Sequence, residues 1–135
     1  MRRHFVCVLA VLTCSSLFGC HDDVIDSDRP RIVAQEISSS ALPAELDASR
    51  TYIYDHGTTT DPEGLLRWLW ERGVHPRRAW QPIVDDSPCL LNLPNPSFTV
   101  ELDAADARML DYHFFPGTRQ GLKCARRFMS YEVLD

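Results

Sequence analysis

The segment at residues 96–117, PSFTVELDAADARMLDYHFFPG, constrains the fold most, because strand, cap, helix and turn signals follow one another in it without conflict. Apolar and polar residues alternate over residues 98–102, which is the pattern of a half-buried strand. Asp103 then offers an N-cap, and apolar residues recur at helical spacing over 104–114 until Pro116-Gly117. The segment therefore predicts a strand followed directly by a helix.

The N-terminus has the organisation of a processing signal. Two arginines precede an apolar run at Phe5–Leu12, which is too short to span a bilayer as a helix. The sequence Leu-Phe-Gly-Cys at 17–20 resembles the lipobox of bacterial lipoproteins. The resemblance implies cleavage before Cys20, a diacylglycerol on its sulfur and an acylated amino group. It also favours the outer over the inner membrane, because His21 rather than Asp follows the cysteine. An ordinary secreted protein, or an uncleaved anchor, is the alternative.

The net charge of the chain limits the classes of partner that it is expected to bind. The chain has 14 basic and 19 acidic residues, and loss of residues 1–19 with their two arginines leaves 12 against 19, a net charge of −7. An acidic chain is a poor match for a protein that binds nucleic-acid phosphates. Only Arg77-Arg78 and Lys123–Arg127 are locally basic, and we interpret both as solvated loop charge.

Composition divides the chain into a signal at 1–19, a lipidated flexible tether at 20–50 and one domain at 51–135. A flexible tether of that length has an end-to-end distance of about 30 Å, which would hold the domain clear of the lipid headgroups. The alternative for part of the tether is an added strand over Ile32–Ile37.

Cysteine usage predicts one disulfide. Cys7 and Cys14 leave with the signal and Cys20 is predicted to carry lipid, so Cys89 and Cys124 remain for pairing outside the cytoplasm. The bridge would close a loop of 35 residues (124 minus 89), for which chain entropy gives about 3 to 4 kcal/mol. The alternative is a nucleophilic cysteine with His75 or His113 as its base.

The order of local signals predicts an α+β fold, a ferredoxin-like βαββαβ unit with a four-stranded antiparallel sheet and two helices on one face. The first helix is capped either by Thr60 with Glu63 or by Asp61 before a proline, and ends at Gly73. Trp68 lies partly off its apolar face, as in rim packing or a partner surface. The opposite sheet face would be open. The predicted strands are Thr51–Tyr54, Ala79–Val84 (at an edge, because of its proline), Phe98–Leu102 (central) and Phe128–Leu134, whose core face is Met129, Tyr131 and Val133.

Chemical motifs are sparse. His56 beside Asp55 is the best candidate for proton chemistry, but the histidines show no metal-binding spacing, and surface or packing roles are typical of such residues. The carboxylate pairs Asp22-Asp23 and Asp85-Asp86 lack the further oxygen ligands that calcium requires. The sequence therefore predicts a non-enzyme without cofactor or metal.

The segments YIYDHG, DPEGLLRWLWERGV, FTVELDAADARMLDYHFFPG and SYEVLD together resemble the propeptide domain of subtilisin-like proteases and its free-standing inhibitor relatives. The resemblance implies that the sheet packs on a serine protease, that Glu101 or Glu132 caps its helices, and that the C-terminal residues occupy its substrate cleft. Those residues are Tyr131, Glu132, Val133, Leu134 and Asp135. The competing hypothesis is a lipid-anchored, non-catalytic binding or structural module whose partner is another envelope component.

Overall fold

The computed structural model describes residues 28–83, 97–118 and 125–135. Within these ranges the chain forms six strands, one α-helix and two 3₁₀ turns. The elements are β1 (Arg31–Ser38), a 3₁₀ turn (Ser39–Ala41), β2 (Thr51–Tyr54), α1 (Pro62–Trp70), β3 (Pro76–Pro82), β4 (Thr99–Leu102), a 3₁₀ turn (Ala107–Leu110), β5 (Phe114–Pro116) and β6 (Arg127–Leu134). No helix in the described part of the chain has the length and apolarity that crossing a membrane requires.

The six strands form one sheet in the order β1-β6-β3-β4-β2-β5, and every neighbouring pair is antiparallel. The predicted ferredoxin-like βαββαβ fold is therefore wrong. All four predicted strands are present as β2, β3, β4 and β6, with β4 central as expected. The sheet has two further strands, and a single α-helix is found in the described residues.

The second predicted helix, at residues 104–114, is replaced by a 3₁₀ turn and a strand. Asp106 rather than Asp103 caps the turn, its side chain accepting from the Arg108 amide at 3.0 Å. The turn stops at His113, whose φ of 65° is left-handed and cannot continue a right-handed helix. The aromatic residues that follow then pair with β2, Phe114 opposite Tyr54.

β1 lies in the segment that was predicted to be a flexible tether. Residues 31–38 pair with β6 over eight positions, from Arg31 opposite Leu134 to Ser38 opposite Arg127. The tether prediction is wrong for these residues, and the alternative strand over Ile32–Ile37 is confirmed. Polar composition concealed β1 because, as an edge strand, it is mostly exposed.

β3 is an interior strand, between β6 and β4, and not the predicted edge strand. Its prolines are its first and last residues, Pro76 and Pro82, where a missing donor interrupts the fewest ladder hydrogen bonds. The register also shifts between Pro76 and Arg78, which takes up the irregularity at that end.

α1 begins and ends as the sequence predicts. Asp61 is the N-cap and accepts from the Gly64 amide at 2.9 Å, with Pro62 at the first helical position. Gly73 follows the last turn with φ of 75°, and its amide donates to the Trp70 carbonyl at 2.8 Å. Leu66 and Leu69 are fully buried on the sheet, each contributing about 1.5–3 kcal/mol by burial.

The sheet face that packs against α1, here called the helix face, carries the main core. Its buried residues form one apolar cluster. They are Tyr52, Leu66, Leu69, Val74, Ala79, Phe98, Val100, Leu102, Met109, Phe114, Tyr131 and Val133. Met129 packs against the cluster, so all three residues of the predicted β6 core face contribute.

The other side of the sheet, here called the opposite face, has a smaller apolar cluster of Trp80, Ala125 and Phe128. Leu42 and Leu46, from the segment that joins β1 to β2, pack against it. Phe128 is fully buried, although its side chain lies on the side of β6 that the sequence analysis assigned to solvent. This part of the opposite face is therefore covered by the chain itself and is not open.

Candidate functional site

An aromatic groove of about 370 Å³ lies between α1 and the turn that precedes β5. We call it the aromatic groove; its lining residues are Tyr54, Gly64, Leu65, Trp68, Tyr112 and His113. Most of this lining is apolar and partly exposed. A concave, largely apolar site with a few polar groups is the usual form of a small-ligand site.

The walls of the groove are rings in mutual contact. Trp68 and Tyr112 meet edge to face with centroids 4.9 Å apart, and Tyr54 lies 4.8 Å from Phe114 in the core. Contacts of this kind add about 0.5–1.5 kcal/mol each beyond their buried area. The rings are therefore held in place before any ligand arrives.

Arg108 fixes the wall formed by the turn to the end of α1. Its Nη1 donates to the Arg72 carbonyl at 2.8 Å and its Nη2 donates to the Gly73 carbonyl at 3.0 Å. The same guanidinium binds the Asp106 carboxylate, with Nη2 2.6 Å from Oδ2. This hydrogen bond holds the pKa of Asp106 below its ordinary value of 3.8. Arg108 thus joins the turn that carries Tyr112 to the helix that carries Trp68.

His113 is the conformationally strained residue of the groove. Its φ of 65° is uncommon for a residue other than glycine, and its carbonyl accepts from the Asp55 amide at 2.7 Å. Its ring lies 4.7 Å from that of His56. Backbone strain of this kind costs about 1–3 kcal/mol and is concentrated at functional sites, so His113 supports the groove as the candidate site.

The groove offers hydrogen bonds without a formal charge in its lining. Two phenol hydroxyls, an indole N–H and an imidazole are the polar side-chain groups of its lining residues, none of which is a carboxylate, lysine or arginine. A cation is already in contact with the rim, since the Arg72 guanidinium lies 3.7 Å from the Trp68 ring centroid. This arrangement disfavours a cationic ligand.

Gly64 forms part of the groove surface and has no room for a side chain. A Cβ at this position would overlap the Asp61 carboxylate that caps α1. The glycine therefore keeps the helix cap intact and leaves the groove open beside Leu65.

The histidines singled out in the sequence are packed against aromatic rings. His56 contacts Tyr54 and His113, whereas His75 lies 4.7 Å from Trp70. Within residues 28–83, 97–118 and 125–135, no group of three or more histidine, cysteine, aspartate or glutamate side chains is placed to hold a metal ion.

Glu101, one of the predicted protease contacts, is 1% exposed on the opposite face. Its Oε1 lies 3.1 Å from Arg50 Nη2, and its Oε2 lies 2.6 Å from Arg78 Nη2. The carboxylate is thus neutralised within the chain, and Arg78 is an ion-pair partner and not solvated loop charge. Glu101 has no exposed surface from which to cap a partner helix.

The predicted C-terminal tail is also part of the fold. Tyr131 to Leu134 belong to β6, which pairs with β1 on one side and β3 on the other. Tyr131 and Val133 are buried in the core, and burial raises the pKa of the Tyr131 phenol. Glu132 and Asp135 are exposed. A strand paired on both sides is not free to enter a protease cleft.

Three predicted modification sites, Cys20, Cys89 and Cys124, lie outside the described residues, as do the two carboxylate pairs. The lipidation and the disulfide therefore stay predictions. Sequence reasoning noticed Trp68 but missed the groove, because Tyr112 and His113 were assigned to a helix. The signal available was the aromatic run Tyr-His-Phe-Phe at 112–115, which favours a strand over a helix.

The chain matches no protein-family model, and neither a curated protein nor a solved structure shows significant similarity to it. The resemblance to the lipobox and the resemblance to protease propeptides both stay predictions.

Proposed function

We propose that this chain is a lipid-anchored, non-catalytic binding protein of the bacterial cell envelope, and that the aromatic groove is its ligand site. The anchor would be the acylated Cys20, more consistent with the outer than with the inner membrane. The observation that carries the ligand site is the set of contacting rings, held by Arg108 and strained at His113.

The lining of the groove favours an uncharged ring ligand, and we propose the sugar ring of an envelope glycan. The apolar C–H face of a pyranose packs on aromatic rings, while its hydroxyl groups need donors and acceptors at the edges of those rings. Tyr54 and Tyr112 supply such hydroxyls, and His113 supplies an imidazole. The Arg72 guanidinium on Trp68 makes a cationic ligand the poorer match.

The proposal assigns binding and no catalysis to the groove. Acid–base and covalent catalysis need a nucleophile or general base within hydrogen-bond reach of a partner that activates it. The lining has two phenols and one imidazole, with no carboxylate or thiol among its described residues. Such groups are suited to orienting a ligand.

The test uses the mature chain carrying Cys20→Ser, which removes the acylation site, and a soluble N-acetylglucosamine oligosaccharide as the probe. We expect saturable NMR shifts of the ring signals of Trp68, Tyr112 and His113, of which the last two also report binding in Trp68→Ala, with a Kd below about 1 mM. Trp68→Ala should weaken binding by at least about tenfold, because aromatic anchors dominate such sites. The matched control is Leu110→Ala, since Leu110 lies in the neighbouring turn, is 62% exposed and does not line the groove.

Equal weakening by Leu110→Ala, or no shift at any oligosaccharide concentration, would contradict the ligand assignment. The anchor is tested separately by the mass of the N-terminal peptide from the membrane fraction. A free Cys20 thiol would contradict the anchoring.

Inhibition of a subtilisin-like protease stays a second prediction, and its mechanism has lost support. It required an open sheet face, an exposed Glu101 and a free C-terminal segment, whereas Glu101 is buried and β6 is paired on both sides. Titration of the Cys20→Ser chain against a panel of such proteases tests it. An inhibitor should slow one of them at micromolar concentration, and should lose this effect when Val133 to Asp135 are removed.

A further inference from the structure

β1 lies much closer to the predicted anchor than the sequence suggested. Because Asp28 lines a groove together with residues of α1, only eight residue steps separate Cys20 from the surface of the domain (28 minus 20). Even fully extended, eight residues span at most about 28 Å. A folded domain of about 100 residues has a radius of gyration of about 13 Å, so this connection is no longer than the domain itself.

The surface where the chain emerges contains a tryptophan. A groove of about 340 Å³ lies there, lined by Asp28, Arg29, Pro30, Arg67, Trp70 and Glu71. We call it the tether groove. Trp70 is partly exposed, and the Arg67 side chain is 42% exposed. Tryptophan is enriched at the headgroup level of membranes, because its ring is apolar and its N–H is polar.

The charges of the tether groove are balanced. Two arginines, Arg29 and Arg67, line it together with two carboxylates, Asp28 and Glu71, and Arg67 also pairs with Glu63 at 3.0 Å. Arginine pairs with phosphate, and carboxylate pairs with ammonium. A zwitterionic phospholipid such as phosphatidylethanolamine presents both groups, whereas a purely anionic surface would repel half of the set.

We propose that the tether groove rests against the phospholipid headgroups, with Trp70 at the level of the interface and the mixed charges of the groove facing zwitterionic lipid. This inference rests on the proposed acylation of Cys20. Trp68 and Trp70 are two residues apart, which places them about 200° apart around α1. The aromatic groove beside Trp68 therefore lies on the flank of the helix that is turned away from the membrane and toward the envelope.

The experiment reconstitutes the full acylated protein in vesicles of phosphatidylcholine and phosphatidylethanolamine whose acyl chains carry bromine near the headgroup. Bromine quenches only nearby indoles. The wild-type protein and the Trp68→Phe variant should both lose emission relative to vesicles without bromine, and the Trp70→Phe variant should lose little. Trp80 is 2% exposed on the opposite face and is the same in all three proteins. Quenching should also be the same at low and at physiological salt, because the contact involves balanced charges.

Two failures can be told apart. A free Cys20, detected by mass spectrometry of the same sample, overturns the proposed anchoring and this inference together. An acylated Cys20 with equal quenching in Trp68→Phe and Trp70→Phe, or with quenching that disappears at physiological salt, overturns this inference alone. Circular dichroism of the two variants, which replace one ring by another on a partly exposed helix flank, checks that both are folded.

Discussion

The two faces of the sheet are stabilised in different ways. On the helix face, a single apolar cluster has buried residues from α1 and from five of the six strands, and part of its rim is open at the aromatic groove. On the opposite face, a small cluster around Trp80 and Phe128 lies beside a buried carboxylate, Glu101, that is held by two arginines. The helix face depends on apolar burial, whereas the opposite face depends on a specific ion-paired network.

This difference has a consequence for the position of the ligand site. A buried carboxylate with both oxygens paired has no capacity left for a partner, and the adjoining surface is covered by Leu42 and Leu46. The centre of the helix face is fully buried by the apolar cluster, whereas aromatic rings at its rim are fixed and still accessible. A partner is therefore expected at the edge of the larger core.

The largest expected effect is a difference in stability loss between substitutions in the two apolar clusters. Leu66→Ala, on the helix face, should lower the free energy of unfolding by about 3 kcal/mol, because the side chain is fully buried and its loss leaves a cavity. Leu42→Ala, on the half-buried cover of the opposite face, should cost about 1 kcal/mol. Urea unfolding measures both. Equal losses would show that the two faces contribute alike.

The second prediction concerns the ion-paired network. Glu101→Gln keeps the shape of the side chain but removes the charge shared by Arg50 and Arg78, and should cost about 2–3 kcal/mol, since both arginines are partly exposed. Asp47→Asn is the control, because Asp47 pairs with Arg50 at 3.1 Å from a half-exposed position, so its substitution should lower stability much less than Glu101→Gln. Hydrogen exchange should rise at residues 42–50 in the Gln variant alone. If Glu101→Gln lowered the free energy of unfolding by less than Asp47→Asn does, the ion-paired network would not stabilise the opposite face.

A third prediction tests the cap of α1 beside the aromatic groove. Asp61→Ala should cost about 1 kcal/mol by removing the hydrogen bond to the Gly64 amide. Gly64→Ala alone should change stability little, because the better helix former displaces the capping carboxylate. In the Asp61→Ala background, the same substitution should stabilise by about 0.5–1 kcal/mol. Additive effects in this double-mutant cycle would exclude the overlap.

The smallest expected effect is a pH dependence. The hydrogen bond from Arg108 lowers the pKa of Asp106 below 3.8, so the stabilisation is present above that pH and is lost as the pH falls through the folded-state pKa. In Arg108→Ala, stability should depend less on pH in the acid range. Thermal unfolding below pH 4 measures this dependence. A matched variant on the opposite face is Ser49→Ala, since the Ser49 hydroxyl chiefly lowers the pKa of Asp47. An unchanged pH dependence in Arg108→Ala would contradict the assignment.

The sequence predicted those elements that are determined by residues close together in the chain. The cap, first turn and end of α1 depend on Asp61, Pro62 and Gly73, all within one short segment. Alternation likewise located β4, and the side of β6 that packs on the helix face. These features are visible to a reading of consecutive residues.

The errors arose where distant pairing decides the structure. β1 is recognisable only through β6, about 90 residues later, and β5 only through β2. The prolines of β3 suggested an edge because their position at the strand ends, Pro76 and Pro82, depends on the pairing register. The aromatic groove was missed for the same reason, since Trp68 meets Tyr112 only after Arg108 has joined the turn to α1.

The pairing of β1 with β6 also bears on the folding of a chain that is synthesised from its N-terminus. The first described strand must wait for the last one, which places a contact of very high sequence separation at the edge of the sheet. Until β6 has been synthesised, β3 lacks its pairing partner on one side, and β1 lacks the one strand with which it pairs. Closure of the sheet is thus a late step, and the residues next to the predicted anchor are among the last to become ordered.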